Sequence, residues 1–230
     1  VSPRTDAAAA VAITTPRELA RYIDHTVLAP GATLAEVARA CDEAVAHGFA
    51  AVCVRAGFAA EVRRRLAGSA VETAVVVDFP AGEASTSARL AEALEAVRLG
   101  AQELDLVVAL PLVKAGRWAA VLDDLTAVVR AVPVPVKVIL ETGALDRDRT
   151  VAAAALVRAA GAASVKTSTG FGPGGATAED VALLRSVVGP TLGVKASGGI
   201  RTAAQARAMV EAGASRLGCS ASVAIVTGAF

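Results

Sequence analysis

Eight short runs rich in valine, isoleucine and leucine punctuate the chain: YIDHTVL at 22–28, AVCVR at 51–55, TAVVVDF at 73–79, ELDLVVAL at 103–110, VKVILET at 136–142, SVKTST at 164–169, LGVKAS at 192–197 and SRLGCS at 215–220. Each is too short for an independent helix, so each predicts a strand. Alanine-rich amphipathic segments with recognisable start signals lie between them. Thr33, Thr177 and Thr202 precede Glu36, Asp180 and Gln205 at the spacing of a capping box, in which a side-chain oxygen satisfies a free N–H of the first turn. Four helical segments end at Gly48, Gly100, Gly161 and Gly213, the residue type best suited to the left-handed position that closes a helix.

Strands apolar almost throughout, alternating with helices, predict a parallel sheet covered by helices. About eight such units in 230 residues favour a closed (β/α)8 TIM barrel over an open doubly wound sheet. No linker or change of composition divides the chain. The expected organisation is a flexible leader over residues 1–15 and a single-domain barrel over 16–230.

Composition narrows the picture further. The hydrophobic fraction is 54%, yet Asp, Glu or Arg interrupts the apolar runs before the ~20 residues that a membrane-spanning helix needs. The opening VSPRTDAAAAVA lacks the basic start, leucine-rich segment and cleavage site of a secretion signal. A formal net charge of +1 and 3% aromatic residues supply neither the basic face nor the stacking rings of a nucleic-acid binder. The basic run Arg63-Arg64-Arg65 reads as the solvated end of a helix. Cys41, Cys53 and Cys219 are odd in number and lack metal-like spacing, which argues against a disulfide framework and a zinc site and expects a cytoplasmic protein.

In a barrel of this class, chemistry gathers at the carboxyl ends of the strands. The residues expected there are Asp24, Thr26, Cys53, Asp78, Asp105, Lys137, Glu141, Lys166, Lys195, Gly198, Gly199, Gly218 and Ser220. The lysines carry the most information. Of 23 basic residues only Lys114, Lys137, Lys166 and Lys195 are lysine, and the last three lie in apolar strands. A requirement for charge alone would predict arginine in this composition, whereas an amine can lose its proton and act as a nucleophile. Lys166 in VKTSTG and Lys195 in VKASGG occupy matching places on consecutive strands, which brings their amines together. Moving a lysine from its ordinary value of about 10.4 to about 7 takes roughly 4–5 kcal/mol. Burial and a second ammonium close by can supply that together, so the pair reads as an activated amine and its activator. Lys137, on the same strand face as Glu141, suggests a further charge network and competes for the nucleophile's role.

Two glycine-rich loops follow the same two strands. STGFGPGG and SGGIRT expose backbone N–H groups, and with Gly218 and Ser220 after the last strand they match the place where such barrels hold a phosphate.

The chain resembles the class I deoxyribose-phosphate aldolases. The resemblance rests on YIDHTVLAP at 22–30, AVCV at 51–54, VVVDFPAG at 75–82, ELDLVVAL at 103–110, KVILETGAL at 137–145, SVKTSTGFGPGGAT at 164–177, VKASGGIRT at 194–202 and SRLGCSAS at 215–222, in order along nearly the whole chain. It implies reversible cleavage of 2-deoxy-D-ribose 5-phosphate to acetaldehyde and D-glyceraldehyde 3-phosphate in a homodimer or larger homo-oligomer, without metal or organic cofactor. It also implies Lys166 as the Schiff-base lysine, Lys195 as the neighbour that depresses its pKa, and Asp105 as the carboxylate of the proton relay. Thr169, Gly170, Gly198, Gly199, Gly218 and Ser220 would bind substrate, chiefly its phosphate, and Asp24, Thr26 and Cys53 would line the cavity. Only the resemblance separates Lys166 from Lys137. A related Schiff-base aldolase with different aldehydes and a sugar-phosphate binding protein without turnover are the competing readings; the trio Asp105, Lys166 and Lys195 argues against the second. The chain departs from the family pattern at Asp78, where VxGFP is common, at Pro111, and at Ala221, which removes a hydroxyl near the phosphate and is expected to weaken its binding by about 0.5–1.5 kcal/mol.

Overall fold

The computed structural model describes residues 13–229. Residues 1–12, most of the expected leader, lie outside the described residues. Helix α1 (Pro16–Ala20) leads into strand β1 (Ile23–Val27), followed by β2 (Ala51–Val54), β3 (Glu72–Val77), β4 (Glu103–Val107), β5 (Val136–Ile139), β6 (Ser164–Lys166), β7 (Gly193–Ser197) and β8 (Arg216–Cys219). All eight strands pair in parallel with their sequence neighbours, and β8 closes on β1. This is the (β/α)8 barrel expected from the strand count. The connecting helices are α2 (Leu34–His47), α3 (Ala59–Arg65), α4 (Thr86–Arg98), α5 (Leu110–Lys114), α6 (Trp118–Ala131), α7 (Arg147–Ala159), α8 (Ala178–Val188), α9 (Ala203–Glu211) and α10 (Ser222–Thr227). None of the described helices is long and apolar enough to cross a membrane.

Local signals explain most boundaries. Thr33 and Thr202 make full capping boxes with Glu36 and Gln205. Thr177 caps its helix too, but the Asp180 carboxylate accepts instead from the Thr142 hydroxyl, 3.1 Å away. Gly48, Gly100, Gly161 and Gly213 all have positive φ, between 70° and 112°, where a side chain would be strained. Arg64 and Arg65 stay in solvent and pair with Glu61 on the same helix. The apolar run ELDLVVAL is not strand throughout: the ladder stops at Val107, and Leu110 starts α5 with Pro111 in its first turn, where a missing N–H costs nothing.

The apolar core lies between barrel and helices, built from outward strand residues such as Val52, Val75, Leu104, Val138, Val165 and Leu217. The inside is different. A smaller cluster of Leu28, Ala51, Cys53, Ala74 and Val76 fills one side, and charged side chains occupy the rest, whereas aliphatic layers usually dominate this space. The strand period of two sends Asp24, Asp105, Lys137 and Lys195 inward while their apolar neighbours face the helices.

Candidate active site

Register places the lysines. Lys166 on β6 sits opposite Lys195 on β7, and Asp105 on β4 sits opposite Lys137 on β5. Past the end of the β6–β7 ladder the two chains stay joined: the Ser197 N–H donates to the Thr167 hydroxyl, which donates to the Ser197 carbonyl, both at 3.1 Å. The strands carrying the two amines are thereby fixed to each other. Gly218 on β8 makes room for Lys195, because a Cβ there would stand 3.2 Å from Lys195 Cε and 2.9 Å from Ser197 Cβ.

Asp105 is the centre of the cluster. Its Oδ2 accepts from Lys166 Nζ and from Lys195 Nζ, each at 2.7 Å, and its Oδ1 accepts from Lys137 Nζ at 3.2 Å. Lys195 also donates to Asp24, whose other oxygen accepts from Arg216 at 2.9 Å. Lys137 donates to Glu103 at 2.5 Å, and Arg216 reaches Glu103 at 3.3 Å. Four cations therefore share three deep carboxylates, all of them buried except for the outer part of Arg216. Glu72, nearer the rim, has its carboxyl pushed up by burial and by Glu103.

Four of these charges are firmly set. Burial pushes the Asp105 carboxyl up, but Lys166, Lys195 and Lys137 together outweigh it and hold the group well below the usual carboxylate range. Asp24 is likewise lowered, burial being overcome by Lys195, Lys137 and Arg216. Burial pulls Lys195 down, yet Asp105 and Asp24 prevail and raise it above an ordinary lysine; the same two carboxylates raise Lys137. Lys195 is a permanent cation at neutral pH.

A cavity of about 420 Å³ opens at the carboxyl ends of β1, β6, β7 and β8. Lys166 stands on its wall; Lys137 and Lys195 do not. Thr26, Thr169, Gly170, Gly198, Gly199, Gly218 and Ser220 also line it. Asp24 and Cys53, expected on the wall, are wholly buried beneath it. Asp24 is one inward position below Thr26 on the same strand and is taken up by Lys195 and Arg216. Cys53 packs among Leu28, Ala51, Ala74 and Val76, its Sγ 4.0 Å from Asp105 Oδ2; burial, then Asp105, pushes its thiol up to about 11.

Glu141 also departs from expectation. It does not join Lys137 in one network. Its backbone turns left-handed, with φ of 58°, so the alternation of β5 ends before it. Its carboxylate accepts instead from the Thr169 hydroxyl and holds the loop after Lys166. Asp78 is left-handed as well, at φ 51°, a conformation that aspartate tolerates better than most residues. It pairs with the buried Arg89 at 3.3 Å and takes no part in the cavity wall.

Three contributors escaped the sequence reading. Arg201, in the quoted SGGIRT, lines the cavity but was one arginine among many. Glu103 and Arg216 were legible in principle, since Glu-Leu-Asp-Leu and Arg-Leu-Gly put them on the inward faces of their strands.

A parallel barrel with a buried amine cluster beneath a cavity of about 420 Å³ fits an aldolase barrel, and the comparisons agree: residues 19–228 match the DeoC/LacD family aldolase model, and the chain belongs to that family. Among its relatives, the deoxyribose-phosphate aldolase of Thermoanaerobacter sp. (strain X514) is 47% identical over 212 residues, covering 90% of this chain and 95% of that protein. The deoxyribose-phosphate aldolase of Actinobacillus succinogenes is 45% identical, covering 93% and 96%. The solved structure of the Aeropyrum pernix deoxyribose phosphate aldolase, described as a unique tetramer, superposes with a TM-score of 0.86 at 34% identity, covering 93% of this chain and 91% of that one.

Proposed function

We propose that this chain is a class I aldolase that reversibly cleaves 2-deoxy-D-ribose 5-phosphate to acetaldehyde and D-glyceraldehyde 3-phosphate through a Schiff base on Lys166. The observation that carries the proposal is the position of Lys166: of the three interior lysines it alone touches the cavity, and it has one carboxylate partner where Lys195 has two and Lys137 three. Removing a proton from Lys166 breaks the fewest ion pairs and leaves three cations facing three carboxylates. The count of ion pairs and access to the cavity select the same nitrogen.

Neutral Lys166 adds to the substrate carbonyl, and loss of water gives an iminium whose positive nitrogen is a better electron sink than the carbonyl oxygen. Cleavage of the carbon–carbon bond sends its electron pair into that sink as an enamine. Asp105 touches Lys166 Nζ directly, so it can take and return the protons of carbinolamine breakdown and, through a water, of the enamine carbon. Lys195 stays charged beside the reacting nitrogen and favours the neutral amine before attack. The iminium supplies the electrophile, so the chemistry calls for no metal or organic cofactor.

The phosphate would sit at Gly170, Gly198, Gly199, Gly218 and Ser220, with Arg201 as the cation on that side of the cavity. Glycine at 198 serves a close approach, since its φ is 92° and a Cβ there would lie 3.1 Å from the Gly175 backbone. A cytoplasmic homo-oligomer is the assembly that composition and family membership support. The function is tested by following acetaldehyde release from 2-deoxyribose 5-phosphate alongside a panel of other donor aldehydes and phosphorylated acceptors. Preference for acetaldehyde and glyceraldehyde 3-phosphate supports the proposal, and preference for another pair overturns its substrate.

A further inference from the structure

The wall of the cavity that carries Ser220 is tied to a buried chain of side chains outside the barrel. The Ser222 hydroxyl, fully buried, donates to the Cys219 carbonyl at 2.8 Å. Its oxygen also lies within hydrogen-bond distance of His25 Nδ1, 2.9 Å away. His25 Nε2 lies 2.8 Å from Glu43 Oε2 on α2, and Arg39 approaches the same carboxylate at 3.8 Å. The His25 ring is itself buried and packed against Phe49, with ring centroids 5.3 Å apart. Helix α2, strand β1 and the end of β8 are thus joined by one line of polar contacts that ends on the carbonyl just before Ser220. Neither His25 nor Ser222 touches the cavity.

A buried serine and histidine usually satisfy each other wherever they happen to meet, but these two end on a carbonyl whose position fixes the loop. Cys219 and Ser220 line the cavity together with the Gly198–Arg201 loop of the neighbouring strand. We infer that His25 and Ser222 are positioning residues for the phosphate subsite, holding the Cys219–Ser220 peptide where it can meet the phosphate without themselves bonding to the amine cluster. The inference rests on the proposed phosphate-bearing substrate. The imine chemistry depends on Lys166, Lys195 and Asp105, none of which contacts this chain of side chains.

The test compares Ser222→Ala with two replacements of the histidine. Asparagine at 25 can place an N–H near the position of Nδ1 and keep the bond to Ser222, whereas glutamine reaches toward Nε2 and Glu43 and gives it up. Binding is read by titration calorimetry with glycerol 3-phosphate, which carries the phosphate but no carbonyl, and turnover with phosphorylated and unphosphorylated 2-deoxyribose. S222A and H25Q are expected to weaken glycerol 3-phosphate binding and raise KM for the phosphorylated sugar by about five- to tenfold, the effect of one hydrogen bond lost. H25N should stay within about twofold of the parent, as should kcat/KM for unphosphorylated 2-deoxyribose in all three, when a single bond at a distance is all that changes. Equal loss on both sugars, or unchanged glycerol 3-phosphate binding in S222A and H25Q, overturns the positioning role. Circular dichroism identifies any variant that fails to fold, and H25Q and S222A then stand in for each other. Because binding is read without turnover, failure of the Schiff-base reading would show separately as loss of borohydride trapping in the parent protein.

Discussion

Lys166 and Lys195 donate to one and the same oxygen, Oδ2 of Asp105, each from 2.7 Å. The two nitrogens therefore lie within twice that distance of each other inside the barrel. Repulsion between them is real, but a shared carboxylate mediates it. That carboxylate keeps Lys195 charged, so the proposed activator and the proposed relay meet at one atom.

Replacing Lys195 with leucine removes the permanent cation beside Lys166. Imine formation with acetaldehyde at neutral pH should slow by about tenfold to a hundredfold, and its rate profile should move to higher pH. Stopped-flow trapping across pH 6 to 10 measures both. An unchanged profile would remove the activating role from Lys195.

Acid and alkali should act on stability through the same cluster. Asp24 and Asp105 are lowered in the folded chain, so their contribution is fully present above their unfolded value, about 4, and is lost as pH falls toward the folded values. Lys137 and Lys195 are raised, so theirs is fully present below about 10.4 and is lost as pH rises through the folded values. Urea midpoints measured from pH 2.5 to 11 should fall at both ends. In Asp105→Asn the acid-side fall should be shallower, and an equal fall would contradict this assignment.

Gly218→Ala introduces a methyl 3.2 Å from Lys195 Cε and 2.9 Å from Ser197 Cβ. Overpacking of this kind costs about 1–3 kcal/mol. Displacement of Lys195 should lower kcat by roughly tenfold to a hundredfold. Thermal unfolding and steady-state rates check the two effects separately, and parent-like kcat would mean that the position of Lys195 is unimportant.

Ala221→Ser restores a hydroxyl beside Ser220, where Ala221 provides no side-chain cap for α10. Glycerol 3-phosphate should bind about two- to tenfold more tightly, the range of one added hydrogen bond. Calorimetry decides, and unaltered binding would show that residue 221 does not face the phosphate.

Much of this site was legible in the sequence because strand alternation is a geometric rule. Lys166 and Lys195 hold matching places in consecutive strands, and parallel pairing puts them side by side. Asp105 in Glu-Leu-Asp-Leu must face the same interior. Depth is harder to see. Period-two alternation says that Asp24 and Thr26 share a face but not which of them reaches the cavity, and only the level of the Lys195 amine decides it. Glu141 eluded the rule for another reason: a left-handed residue ends the alternation, and no feature of KVILET announces that φ of 58°. The start of α5 was hidden because Leu110 continues an apolar run, while its N–H donates to the Gly82 carbonyl of a loop distant in sequence.

The most direct test of the account is reduction with borohydride in the presence of acetaldehyde, followed by peptide mapping of the ethylated protein. The prediction is a single stable adduct on the peptide carrying Lys166, lost in Lys166→Leu and retained in Lys137→Leu. An adduct on Lys137 or Lys195, or none on any of the three, would contradict it.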